Sequence, residues 1–439
     1  MTADAVRAVW DAIDADTGFV TGLTADLVRI PSVNPKFQAD PELNREPEVQ
    51  AHLDKVLSAE GFRCERWDAL EGRPNLVADW EGSEERSLIL NGHIDVVPVG
   101  DTGSWTREPF AGEIDAGRIW GRGAVDMKGG VAACVAAARA IRKAGIKLEG
   151  RLSVHTVVDE EAGGFGTMDI VKKGRLAAGA LVAEPTWGDV MPAEGGLEWC
   201  RVTIRGKQAH AGFRFNEIFP QPQVEGRLVP GVNAIELASR FLMALRAFEQ
   251  ARCRSVWHPL VPPGLCTINP GVIRGGAGMG ADGTPMIMSN AAIVPDVVTI
   301  DLDYKYMPNE DSAAVRAEFE AFLHHFAQTD PWMRAHPPTV EWELYGLHFP
   351  AVNTPVDHPL TRSVLQRATE LRPGRPPKVR GFEAVTDAAF YAGAGMPVVI
   401  YGPSGDGFHG ADECIEIDSL IDTTKVIAAA VIDACGVAE

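Results

Sequence analysis

Leu88-Ile89-Leu90-Asn91-Gly92-His93-Ile94-Asp95 reads as a buried strand that runs out into Gly, His, x and Asp. A short apolar run closed by glycine fits a strand covered on both faces. In open α/β sheets, sites form at the carboxyl ends of such strands. The runs 75–80 and 152–158 read as further buried strands. The Ala-rich stretch 131–144 and the amphipathic stretch 48–60 read as helices, and Pro47 is placed to open the latter's first turn. Helices between buried strands predict an α/β fold: a three-layer domain with a mixed sheet covered on both faces.

Around Leu197 the pattern changes. Strands are expected over 198–205, 266–273, 297–306 and 339–344, with helices over 233–249 and 312–328. The order βαββαβ predicts a compact ferredoxin-like α+β unit. Residues 360–439 return to the alternation of the first third. The expected organisation is a discontinuous domain, 1–197 with 348–439, carrying an inserted domain over 198–347.

Five clusters of donor residues fall at predicted strand ends or in adjoining loops. They are His93-Ile94-Asp95, the Gly121–Gly130 stretch around Asp126, Asp159-Glu160-Glu161, Glu184-Pro185, and Phe408-His409-Gly410-Ala411-Asp412-Glu413. Each alone has a plainer reading. His93 could be structural, Asp126 could cap the next helix, and Glu160 and Glu161 could form a solvated turn. The glycines near Asp126 approach a dinucleotide fingerprint, but the third is misplaced. Gly402-Pro403-Ser404-Gly405 lacks the Gly-x-Ser-x-Gly elbow of a serine hydrolase, and its Gly402 is expected to line the pocket with a backbone donor.

Together, two histidines and three carboxylates are what a pair of zinc ions needs. If Asp126 bridges, each ion receives one His, one Glu and one Asp oxygen, with a shared water completing the shell. Glu160, beside the proposed ligand Glu161, is then free to move a proton. Asp95 is placed to orient the His93 imidazole. Manganese or cobalt suits the same donors.

The 439 residues carry a net charge of -19, which disfavours nucleic acid and anionic membranes as partners. No run is long and apolar enough to span a bilayer. The first twenty residues do not read as a signal peptide. None of the seven cysteines forms a Cys-x-x-Cys pair. A cytoplasmic protein with reduced thiols is expected.

These motifs resemble the metallopeptidase family of acetylornithine deacetylase, succinyl-diaminopimelate desuccinylase, aminoacylase and bacterial carboxypeptidase G. The resemblance runs from Val28-Arg29-Ile30-Pro31-Ser32 to Glu413. It implies His93 and Glu184 on one metal, Glu161 and His409 on the other, Asp126 as bridge and Glu160 as general base. It also implies that the inserted domain is a lid through which a homodimer forms. There Gly206-Lys207-Gln208-Ala209-His210-Ala211-Gly212 matches the motif whose histidine polarises the scissile carbonyl, and Gly231-Val232-Asn233-Ala234-Ile235 the motif whose asparagine contacts substrate. Two departures stand out. The stretch 213–230 lengthens the gap between these motifs, and Lys305 replaces an arginine that grips a substrate carboxylate, keeping charge without the bidentate fork. Arg274 or Arg380 could compensate. The implied activity is hydrolysis of the amide bond of a small N-acylated amine or amino acid. A dipeptidase, a hydrolytic aromatic deaminase and a non-catalytic binding protein are the alternatives.

Overall fold

A computed structural model describes residues 2–214 and 231–438, so most of the lengthened stretch 213–230 lies outside the described residues. The chain divides into two compact units, Met1–Glu194 with Val352–Glu439, and Gly195–Ala351.

The first unit is built on a mixed sheet. Its order is Arg63–Leu70, Arg73–Trp80, Gly150–Val157, Ser83–His93, Gly179–Val182, Val398–Ile400, Val190–Glu194 and Val352–Asn353, with Val379–Phe382 also on Val190–Glu194. Gly150–Val157, Ser83–His93, Gly179–Val182 and Val398–Ile400 pair in parallel. Arg63–Leu70 and Arg73–Trp80 add antiparallel strands at one side. Successive side chains leave a strand on opposite faces. Leu88 and Leu90 therefore pack under helices Gly129–Lys143 and Ile417–Cys435, while Ile89 packs with Ile170 and Tyr391 on the other face. Both faces are covered, which is why these strands read as unbroken apolar runs. Arg63–Leu70 escaped the sequence reading because it is an edge strand whose Arg, Glu and Asp residues interrupt the apolar pattern.

A smaller sheet joins Gly405–Asp406, Cys414–Glu416, Arg118–Trp120 and Glu113–Asp115. It fixes the chain leading to Asp126 and the segments on either side of His409. The seven cysteines are free thiols, five of them buried.

The second unit has an antiparallel sheet in the order Ile268–Met279, Val297–Tyr306, Gly196–Arg205, Thr339–Trp342. That is the second, third, first and fourth strand of βαββαβ, the ferredoxin-like arrangement. Phe241 and Phe319, from helices Ala234–Ser255 and Ser312–Ala327, cover Val202, Ile300 and Leu302. The strand Ile268–Met279 runs past the expected end at 273, through Gly275, Gly276 and Gly278. A Cβ on Gly276 would fall 2.3 Å from the Ile287 carbonyl oxygen, so its bare backbone is what admits the neighbouring strand Pro285–Ile287.

Gly130 plays a similar part in the first unit, where its Cβ would lie 2.1 Å from the Ala183 carbonyl oxygen. The start of helix Gly129–Lys143 is pressed onto the chain that leads to Glu184. Gly130→Ala is expected to destabilise the protein by about 1–3 kcal/mol, read as a lower urea midpoint. An unchanged midpoint would contradict this close approach.

Candidate metal centre

His93 ends its strand with the imidazole buried. Its Nδ1 lies 2.9 Å from the backbone oxygen of Asp95. A carbonyl only accepts, so Nδ1 carries the proton and the Nε2 lone pair is left for a ligand. Nε2 stands 3.3 Å from Asp126 Oδ1, 3.6 Å from Glu184 Oε1 and 3.9 Å from Glu160 Oε2. His409 Nε2 is 3.2 Å from Asp126 Oδ2 and 3.1 Å from Glu161 Oε2. The two oxygens of Asp126 thus face two different histidines. His93, Asp126 and Glu161 can converge on one point, as can His93, Glu160 and Glu184.

The electrostatics fit cations. Burial, opposed only in part by His93, pushes Glu160 and Glu184 well above the usual carboxylate range, and their mutual repulsion adds to it. Burial and the Asp126 charge raise Glu161. Asp126, despite burial, is held low by hydrogen bonds from His409 and His93. His409 is raised to about 10 by its hydrogen bonds to Asp126 and Glu161. Nitrogen and carboxylate donors in this number suit divalent ions such as zinc, manganese or cobalt.

Sequence reasoning missed how the donors are held. Asp95 was expected to orient the His93 imidazole. The backbone oxygen of Asp95 orients the imidazole, while its carboxylate accepts the amides of Glu160 (3.1 Å) and Glu161 (3.3 Å). Asn34 donates to both Asp95 and Asp159, at 2.8 and 3.0 Å. Arg73 forks onto Glu46 and reaches Asp159 at 2.6 Å, and Lys36 also binds Asp159. Asp159 adopts a left-handed φ of 71° to start the turn bearing Glu160. Glu413 does the same work for Asp126. It takes the amides of Gly123, Val125 and Asp126 and pairs with the buried Arg122. Removing one partner of such a buried pair costs about 3–5 kcal/mol. The Asp126–Met127 peptide is cis. Asp95, Arg122, Asp159 and Glu413 lie inside the donor clusters read from the sequence, whereas Lys36, Glu46 and Arg73 carried no such signal.

Gly402, expected to line the pocket with a backbone donor, is a correction. Its amide donates to Thr186 Oγ1 at 3.0 Å and is not open to a substrate. Glycine is needed because a Cβ would lie 2.1 Å from the Glu184 oxygen. Arg380 is bound to Asp189 at 2.8 Å and Arg274 to Asp301 at 3.0 Å, so both cations offered for a substrate carboxylate are already paired.

His210, Asn233 and Lys305 belong to the second unit. His210 is exposed, and its Nδ1 accepts the Gly212 amide at 3.0 Å. Asn233 caps helix Ala234–Ser255 by accepting from Ile235 and Glu236. Lys305 lies on Val297–Tyr306, opposite Leu197.

The model of peptidase family M20/M25/M40 matches residues 89–433. The chain is 32% identical over 409 residues to N-formyl-4-amino-5-aminomethyl-2-methylpyrimidine deformylase of Bacillus subtilis, covering 90% of this chain and 91% of that protein. It is 30% identical over 415 residues to succinyl-diaminopimelate desuccinylase of Cereibacter sphaeroides, covering 91% and 94%. The structure of aminopeptidase PepT from Bacillus cereus superposes with a TM-score of 0.69 at 21% identity, covering 95% and 99%, which shows a shared fold. The chain belongs to peptidase family M20/M25/M40 and is a hydrolase of C–N amide bonds.

Proposed function

We propose that this hydrolase removes a small acyl group, of the formyl kind, from the amino group of a compact amine that lacks an α-carboxylate. The observation that carries the two-metal reading is Asp126, with one oxygen facing His93 and the other facing His409. Asp126 would bridge two divalent ions, zinc first among them, with His93 and Glu184 on one and Glu161 and His409 on the other. Bound there, the ions would supply Lewis-acid polarisation of the scissile carbonyl and a more acidic water. Glu160 would take the proton from the attacking water and return it to the departing amine. Asp95 would hold the turn that aims Glu160.

The acyl and amine classes rest on two supports. One is the deformylase similarity, which spans nine-tenths of both chains. The other is that Arg274 and Arg380, the two arginines offered for an α-carboxylate, are already paired, and position 305 is lysine. The dipeptidase reading has less support, because the peptidase superposition shows the fold alone. The first unit would be the catalytic domain and the second a lid and dimerisation domain. On motif grounds His210 would polarise the carbonyl, and Asn233 and Lys305 would contact substrate. A homodimer in the cytoplasm completes the reading. Among the described residues no helix is long and apolar enough to cross a membrane.

Amine release from an N-formyl substrate is expected to vanish on chelation and return with zinc or manganese, in a panel of N-formyl, N-acetyl, N-succinyl and dipeptide compounds. Turnover of dipeptides alone, or ammonia in place of amine, would replace this reading. Glu160→Gln is expected to keep its metal and lose at least about 100-fold in kcat. Near-normal turnover would remove Glu160 from the role. His409 holds its proton below about pH 10 in the metal-free cluster. Metal uptake at neutral pH must therefore expel protons, and apparent metal affinity must rise with pH up to that value. Calorimetry in buffers of different ionisation enthalpy checks this, and zero proton release would overturn a protonated His409 in the metal-free cluster.

A further inference from the structure

We propose that Trp187 and Phe408 form an aromatic subsite beside the donor cluster, and that the amine it receives is flat and aromatic or heteroaromatic. This deepens the deacylase reading and rests on it for the identity of the bond cleaved.

Trp187 is 45% exposed and has φ 56°, a backbone conformation that bulky L residues rarely adopt. Such outliers persist only where their surroundings enforce them, and they gather at ligand sites. Here the enforcement is visible. The Trp187 amide donates to the Pro403 oxygen at 3.3 Å and the Gly188 amide to the Gly402 oxygen at 3.1 Å. Arg380, pinned by Asp189, lies over the indole at 5.4 Å.

The placement gives the ring a purpose. Trp187 follows Glu184 by three residues, and Phe408 immediately precedes His409. The two ring centroids are 5.2 Å apart at 57°. Phe408 packs in part on the core of the first unit, which anchors the pair. A single exposed aromatic needs no explanation. A strained, exposed tryptophan paired with a second ring, each tethered to a different donor of the cluster, does. Indole and phenyl faces carry negative quadrupoles and favour offset or edge contacts with another ring, above all an electron-poor one. An aliphatic amine gains only the burial of its area. Trp187 also borders a cavity of about 190 Å³ lined by Asp189, Arg372, Pro376 and Tyr401. None of the cluster's donors lines it, so the amine is assigned to the Phe408 side.

The test compares metal-loaded wild type, Trp187→Ala and Trp187→Phe on N-formylbenzylamine and N-formylbutylamine. Trp187→Ala is expected to lower kcat/KM for the aromatic substrate about 10-fold, mainly through KM, and at least about fivefold more than for the aliphatic one. Trp187→Phe, which keeps a ring, should recover much of the loss. Equal losses on both substrates, or none, would overturn the subsite. Calorimetric binding of 4-aminopyrimidine to the metal-loaded proteins gives a readout independent of turnover. Weaker binding to Trp187→Ala supports the subsite, and equal affinity overturns it. If wild type cleaves neither formamide while that binding difference holds, the deacylase reading fails and the subsite stands. If both formamides are cleaved without discrimination by Trp187, the reverse is true.

Discussion

The Asp126 carboxylate, shared between His93 on one oxygen and His409 on the other, is the contact on which the rest of the site depends. The two histidines are more than three hundred residues apart in the chain. Only a rigid acceptor between them makes one centre out of three strand ends and two loops. Glu160, Glu161 and Glu184 crowd the same space, and their mutual repulsion in a buried setting makes the cluster a ready host for cations.

Holding such a cluster requires charge behind the donors. On one side, Glu413 gathers the amides of Gly123, Val125 and Asp126 and is itself neutralised by Arg122. On the other, Asp95 gathers the amides of Glu160 and Glu161 and is tied through Asn34 to Asp159, Arg73 and Glu46. Each device turns backbone donors toward a supporting carboxylate, leaving the side chains of the donor cluster facing inward. Support of this kind decides whether a catalytic constellation stays within tolerance. The close-packed glycines at 130 and 402 serve the same end, letting backbone approach backbone next to Glu184.

Much of this was legible beforehand. The runs around Leu88 to Leu90 and Leu152 to Val154 are apolar because both faces of their strands are covered, and that continuity is visible in one dimension. The βαββαβ order of the second unit was equally plain, since each element carries its own periodicity. Arg63–Leu70 was not, because edge strands mix charge with apolar residues. Nor was the far end of Ile268–Met279, where glycine marks a close neighbour rather than a turn. The role assigned to Gly402 failed, and Asp95 acts through its backbone oxygen as well as its carboxylate, for a common reason. Residue type indicates what a group can bind, while its committed partner is chosen by geometry.

The sequence by itself therefore determined the layered α/β architecture, the inserted α+β unit and the donor types that suit divalent ions. Those follow from local periodicity and from the chemistry of His, Asp and Glu. Tertiary structure alone decided that both oxygens of Asp126 are used, that Asp95 and Glu413 anchor turns, and that Trp187 stands against Phe408. These are contacts between residues far apart in the chain, fixed by packing and by the pairing of buried charge, and no local pattern encodes them.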